Sequence, residues 1–270
     1  MEIINLPAER GSWQFFLEPY RPFPPARPGQ LDLDAFYPAS QRAYRAAGRA
    51  TEQLTEAGVP VVFSPEGNYK TLLGGLFSAG KNTLLYHPEH GSRFALGCLF
   101  AEADLPPSPP LPRVQMPCSS CGACQAVCPT GAISEAGFDP TRCLRALMKE
   151  PDLPDDLAER SGNRLYGCDL CQRVCPLNRE QTAPPPQELA AFLEIPALIG
   201  KSLEGRRALA PLIPFLGRNY VRPRYFLCRA ACAAGNSQDP ALLPAVRPLC
   251  GHPDPAVRHN AERAVRKLSP

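Results

Sequence analysis

No apolar stretch in this chain approaches the ~20 residues that a bilayer-spanning helix needs, which excludes a helical membrane span. Residues 1–11 carry Glu2 and Glu9 and have no export-signal core, so the expected location is cytoplasmic, with no membrane partner. Histidine is scarce as well. His87, His90, His252 and His259 have no ligand spacing, and surface or structural roles are expected for them. A nucleotide-binding loop is nearly present but lacks a hydroxyl where one is needed. Residues 75–83 approach G-x4-G-K-S/T, yet Asn82 stands at the magnesium-binding position and no apolar strand leads directly into the loop. Nucleotide hydrolysis is excluded on that ground. The glycines there let the backbone approach another ligand, or simply turn the chain.

What the chain has in abundance is cysteine, 12 residues, and proline, 34 residues. Cys118, Cys121, Cys124 and Cys128 read C-x2-C-x2-C-x3-C-P, and Cys168, Cys171 and Cys175 read C-x2-C-x3-C-P. This is the ligand spacing of two-cluster bacterial ferredoxins, in which the fourth cysteine of a run serves the other cluster. Two-residue gaps let successive sulfurs of a tight turn face one inorganic core, and the proline leads the chain away. The eighth ligand is expected from Cys143. It follows Asp139-Pro140, which read as a helix N-cap and first helical position, and a thiolate in that first turn is favoured by backbone N–H groups. The expected sets are Cys118, Cys121, Cys124 and Cys175 for one 4Fe–4S cluster, and Cys128, Cys143, Cys168 and Cys171 for the other. Zinc and disulfides are the competing readings. Zinc sites usually pair two C-x2-C knuckles, which leaves the longer run unexplained. Cys98, Cys228, Cys232 and Cys250 are left over; Cys228 and Cys232, at i and i+4 of a predicted helix, could chelate a metal, but with no partners nearby in sequence they are expected to be buried thiols.

Proline clusters at 106–110 and 184–186 bracket the cysteine segment as spacers would. Ahead of them, an amphipathic helix over 40–57 stopped by Gly58, a strand over 59–63, a helix over 69–79 and a strand over 94–100 predict a small α/β domain, residues 1–105. The two-cluster ferredoxin-like module covers 113–180. From 187 to 270, segments near 187–198, 204–216, 222–234, 240–250 and 255–268 predict helices. Asp239-Pro240-Ala241 and Asp254-Pro255-Ala256 open two of them alike, as HEAT-like stacked pairs would. The fold class is therefore α+β and multidomain. Charge is uneven: residues 201–270 hold twelve Lys/Arg against four Asp/Glu, +8, while the chain totals +3, leaving −5 for the first 200. Arg222, Arg224, Arg229, Arg258, Arg263, Arg266 and Lys267 predict a basic face for RNA, against the alternative of a solvated helix face.

The stretch C-S-S-C-G-A-C-Q-A-V-C-P-T-G-A-I at 118–133, then Cys143, then G-N-R-L-Y-G-C-D-L-C-Q-R-V-C-P at 162–176, resembles the epoxyqueuosine reductase family. G-K-N-T-L-L at 80–85, His87-Pro88, Gly91-Ser92, Leu96-Gly97, Arg218-Asn219 and Gly235-Asn236 extend the resemblance over about 75–270. It implies an oxidoreductase that passes electrons through two 4Fe–4S clusters to a cobalamin, reducing epoxyqueuosine in tRNA to queuosine. Gly80, Lys81, Asn82, Thr83 and Ser92 would then face the corrin, the basic C-terminal helices would hold tRNA, and a reductase or flavodoxin-type protein would supply electrons. The family places an aspartate, its proton donor, about twenty residues before the G-K-N-T lysine, where ungapped counting puts Val61 here. Valine cannot deliver a proton, and Glu66 and Tyr69 are the nearby groups that could act instead. Two other readings are a ferredoxin-like electron carrier without cobalamin that serves a partner enzyme, and an RNA-binding helical module whose clusters are structural.

Overall fold

The computed structural model describes residues 1–65, 69–178 and 181–269, the side chain of Lys70 excepted. The chain divides into two compact units. One comprises Met1–Pro22, Ala35–Ala126 and Cys171–Gln181, the other Phe23–Asp34, Val127–Leu170 and Thr182–Pro270. The cysteine segment contributes to both.

The first unit is built on a four-stranded sheet in the order Glu2–Ala8, Gly11–Pro19, Phe94–Ala101, Val61–Phe63. Every pairing in it is antiparallel, which corrects the α/β arrangement expected from the alternation of helix and strand. The sequence reading missed the N-terminal hairpin. A tight turn joins its two strands without a crossover helix, and the second strand takes the place beside Phe94–Ala101 where a parallel neighbour would have gone.

Side chains alternate between two covered faces, as the two-residue period of a strand requires. Phe16, Leu99 and Ala101 pack with Ala46 and Ala47 of the helix Phe36–Glu56. Phe15, Leu17, Phe94 and Cys98 pack on the other side with Leu73 and Phe77. Burying Phe15 and Leu17 fully is worth about 1.5–3 kcal/mol each. The helix sits so close to the sheet that a Cβ on Gly97 would lie 2.3 Å from the carbonyl oxygen of Ala43. It begins four residues earlier than expected, with Pro38 tolerated in its first turn. The helix expected over 69–79 spans only Tyr69–Leu73. Gly74-Gly75 end it, and Ser78–Ala79 instead pairs with Leu85–Tyr86.

The second unit is mainly helical. Pro223–Ser237 and Pro255–Leu268 are its longest helices, and a Cβ on Gly235 would lie 2.8 Å from Ala264 Cα, so only glycine allows their approach. The two Asp-Pro starts behave alike. Asp239 accepts from Ala241 N, and Asp254 from Ala256 N and Val257 N. The stretches expected as helices over 204–216 and 240–250 are instead short 3-10 and α turns, because Pro211, Pro214, Pro244 and Pro248 remove the donors a continuous helix needs. Strand Arg164–Tyr166 pairs in parallel with Asp32–Leu33, and Tyr225 stacks on Tyr166 with ring centroids 4.4 Å apart. Among the described residues no helix is long and apolar enough to cross a membrane.

Candidate functional site

Four cysteines of the first unit share one cavity. Cys118, Cys121, Cys124 and Cys175 line it, with Lys81, Asn82, Tyr86 and Leu177 closing its sides. The first three come from the turn around the 3-10 segment Pro117–Ser119 and the short helix Ala123–Ala126. The fourth arrives from 51 residues further along (175 − 124). Burial pushes the Cys124 thiol above its ordinary range, and the neighbouring Cys118, Cys121 and Cys175 add to that by like-charge repulsion. Thiolates gathered this way need a cationic centre among them, and a soft metal or an iron–sulfur core supplies one.

The near nucleotide-binding loop is a hairpin turn at the edge of this cavity. Thr83 N–H donates to Gly80 O (2.8 Å), Gly80 N–H donates to Leu84 O (3.0 Å), and Thr83 takes a positive φ of 59°. A Cβ on Gly80 would lie 2.8 Å from both Asn82 Oδ1 and Tyr86 Cε2. Asn82 is buried, and its amide donates to Tyr86 Oη (3.1 Å). Lys81 Nζ reaches Gln125 Oε1 at 3.5 Å.

Cys175 is held from behind by a buried polar network that the sequence did not announce. Asn178 Oδ1 accepts from Ser92 N (2.8 Å), and its Nδ2 donates to Gln172 O (2.7 Å) and Ser92 Oγ (3.0 Å). Gln172 Nε2 donates to Ser92 O (2.8 Å). Gly91 must be glycine for this, since a Cβ there would lie 2.2 Å from Asn178 Oδ1. Of the five residues expected to face a corrin, Asn82 and Ser92 are thus buried and engaged within the protein, while Lys81 and Thr83 keep partial exposure.

Cys128, Cys143 and Cys168 lie in the second unit and Cys171 in the first. Burial opposes ionisation of Cys128, but the backbone N–H groups of Thr130, Ile133 and Ala132 outweigh it and bring the thiol below its ordinary value. Cys168 is pushed up to about 11 by burial, partly offset by the charge of Arg164 and reinforced by that of Cys143. Cys143 is the N-cap of the helix Leu144–Leu147, so the helix begins after it. Asp139 instead caps the preceding turn, accepting from Thr141 N at 2.9 Å. Cys98, Cys228 and Cys232 are buried as expected, and Cys250 is half-buried.

The proposed substitutes for the missing acid fare differently. Glu66 lies outside the described residues. Tyr69 donates to the Pro65 carbonyl, and its ring packs edge-on to Trp13 and Phe15, away from the cysteine cavity. Val61 is a strand residue opposite Ala101.

The basic tail is partly internal. Arg229 is fully buried, donating to Ser161 Oγ and Arg164 O, both at 2.8 Å. Arg263 pairs with Asp155, Lys267 with Glu159, and Arg224 with Asp254. Arg229 and Arg263 are therefore removed from any basic face. Arg206, Arg207, Arg218, Arg222, Arg247 and Arg266 are exposed.

One grouping escaped the sequence reading. Glu2, His87 and His90 bring ligand-type atoms within 4.8 Å of one another, with His90 Nε2 at 2.5 Å and His87 Nε2 at 3.3 Å from the Glu2 carboxylate. His87 Nδ1 accepts the Glu89 N–H at 3.1 Å. That bond places the ring proton on Nε2, the nitrogen facing Glu2, and leaves no lone pair there for a metal.

Comparison with known proteins bears on the same residues. Residues 117–178 match the family model of the 4Fe-4S double cluster binding domain. The epoxyqueuosine reductase of Escherichia coli (strain K12) is 44% identical over 108 residues, covering 39% of this chain and 28% of that protein. The epoxyqueuosine reductase of Bacillus subtilis (strain 168) is 31% identical over 204 residues, covering 72% of this chain and 51% of that protein. The chain thus spans between about a quarter and a half of these relatives. The fold matches a crystal structure of epoxyqueuosine reductase with an epoxyqueuosine-modified tRNA-Tyr stem loop, at a TM-score of 0.78 and 23% identity, over 97% of this chain and 75% of that one. In sequence this chain is thus similar to epoxyqueuosine reductases over part of their length, and its fold is like theirs.

Proposed function

We propose that this chain is an iron–sulfur oxidoreductase of the epoxyqueuosine reductase type, holding two 4Fe–4S clusters and acting on queuosine-pathway tRNA. The observation that carries this reading is the gathering of Cys118, Cys121, Cys124 and Cys175 in one cavity, four thiols in a pattern that two-cluster proteins use. By spacing, Cys128, Cys143, Cys168 and Cys171 are assigned to the second cluster. Two clusters in one module suit a relay of electrons better than a structural role.

A cobalamin, when bound, would supply the nucleophilic and redox chemistry that no side chain offers. On this chain the partly exposed Lys81 and Thr83, with the backbone of Gly80, would meet it beside the cysteine cavity. The functional layout is a cofactor-facing part over 1–105, the cluster module over 113–180, and HEAT-like helices over 187–270. RNA contact is assigned to the exposed Arg206, Arg207, Arg218, Arg222, Arg247 and Arg266, acting on phosphates. Electrons would come from a reductase or flavodoxin-type donor.

Nucleoside mass spectrometry of tRNA from a strain lacking the gene tests the reading. Accumulated epoxyqueuosine that disappears on complementation supports it. Unchanged queuosine in a strain with no second reductase overturns it in favour of an electron carrier for another enzyme.

A further inference from the structure

Tyr86 stands between the G-K-N-T turn and a cluster ligand, and the donors and acceptors around it can be counted. Its ring is 1% exposed, and its Oη lies 3.2 Å from Cys175 Sγ. Asn82 Nδ2 donates to that same Oη at 3.1 Å, while Asn82 Oδ1 is taken by the Leu84 N–H at 3.3 Å. The phenol has one proton, and Asn82 fills an acceptor position on its oxygen. The Ser92 side chain also bonds the phenol, as a donor to its oxygen, and the other acceptor in reach, Asn82 Oδ1, is more distant at 3.5 Å and already takes the Leu84 N–H. The proton therefore points at the sulfur of Cys175.

A cluster-bound cysteine sulfur accepts hydrogen bonds and donates none. Each bond it accepts stabilises the more negative, reduced cluster and raises its potential. We infer that Asn82 and Tyr86 form a two-step hydrogen-bond relay onto Cys175 that sets the reduction potential of the cluster held by Cys118, Cys121, Cys124 and Cys175. Asn82 is then a positioning residue whose amide fixes the direction of the Tyr86 proton. This gives a physical reason for asparagine at the position that spoils the nucleotide-binding loop. The inference rests on the two-cluster reading proposed above.

The test uses anaerobically purified, cluster-loaded full chain, with iron and sulfide counted before titration. Tyr86→Phe removes one donor to one ligand. The expected result is unchanged iron, one of two potentials lowered by about tenfold in the reduction equilibrium, which is 59 mV for a one-electron couple, and the other potential unmoved. Reduced native protein is also expected to show an exchangeable proton coupled to one cluster that Tyr86→Phe lacks. Tyr69→Phe, whose hydroxyl serves the Pro65 carbonyl, is expected to leave both potentials in place. Should Tyr86→Phe fail to assemble its clusters, the native sequence grown with 3-fluorotyrosine decides. Its more acidic phenols donate more strongly, and one potential is expected to rise. Loaded clusters whose potentials ignore both changes overturn the relay while leaving the two-cluster reading intact. A native chain that takes up no iron overturns that reading first.

Discussion

Asn178→Ala is the substitution through which the support of the cysteine cavity is most directly measured. Asn178 is 7% exposed, and its amide joins Ser92 N, Ser92 Oγ and Gln172 O. Alanine leaves the Ser92 N–H buried without a partner and the Gln172 carbonyl with only the longer bond from Cys175 N–H (3.3 Å). The unpaired N–H costs about 1–3 kcal/mol and the lost bond to the carbonyl about 1 kcal/mol. Water entering the space left by the amide would recover part of that, so a net loss of about 1–3 kcal/mol is expected. The effect should fall on Cys175, three residues earlier, whose turn is fastened by Asn178 N–H to Cys175 O at 3.0 Å. Urea denaturation of the cluster-free chain reads the stability. The rate of iron release to a chelator from the loaded chain reads the cavity, and it should quicken. Asn178→Asp keeps an acceptor for Ser92 N but cannot donate to Gln172 O, so it should fall between the two. A loss below about 0.5 kcal/mol with unchanged iron release would refute the view that this network holds the fourth ligand.

Other outcomes follow from the same geometry. Burial keeps His87 below its ordinary value of 6.5, with Glu2 and Glu89 opposing this and His90 adding to it. Because the folded value is depressed, the unfolded chain binds more protons below pH 6.5, and stability should decline as pH falls through that window. His87→Gln should flatten the decline between pH 7 and 5 in urea titrations, and an unchanged slope would contradict the assignment. Asp254→Ala removes the cap on Ala256 N and Val257 N and the ion pair with Arg224, and a loss of about 1–2 kcal/mol is expected by thermal or urea unfolding. For RNA, Arg207→Glu should weaken tRNA binding and lower its salt dependence. Arg263→Ala, which breaks the pair with Asp155, should instead lower stability and leave the salt slope of binding unchanged. Filter binding at several salt concentrations separates the two.

The convergence of Cys118, Cys121, Cys124 and Cys175 was legible because ligand spacing is a local property of the chain. Four sulfurs expected from spacing alone line one cavity. The helix cap at Asp254 was legible for the same reason. What the sequence hid depends on contacts across long separations. The N-terminal hairpin carries no Asn-Gly or Asp-Gly turn to announce it, and its strand Gly11–Pro19 finds Phe94–Ala101 more than 70 residues away. Asn178, Gln172 and Tyr86 gave no periodic signal, because each acts through one polar group aimed at one distant partner. Counting charges along 201–270 overstated the basic face, since charge in sequence does not reveal that Arg229 is inside and Arg263 is paired.

Elemental analysis of the native chain purified without oxygen is the most direct test of the account. Two 4Fe–4S cores predict about eight iron and eight acid-labile sulfide per chain, with Cys175→Ser losing about half of each. Zinc in place of iron, or iron without sulfide, would contradict it.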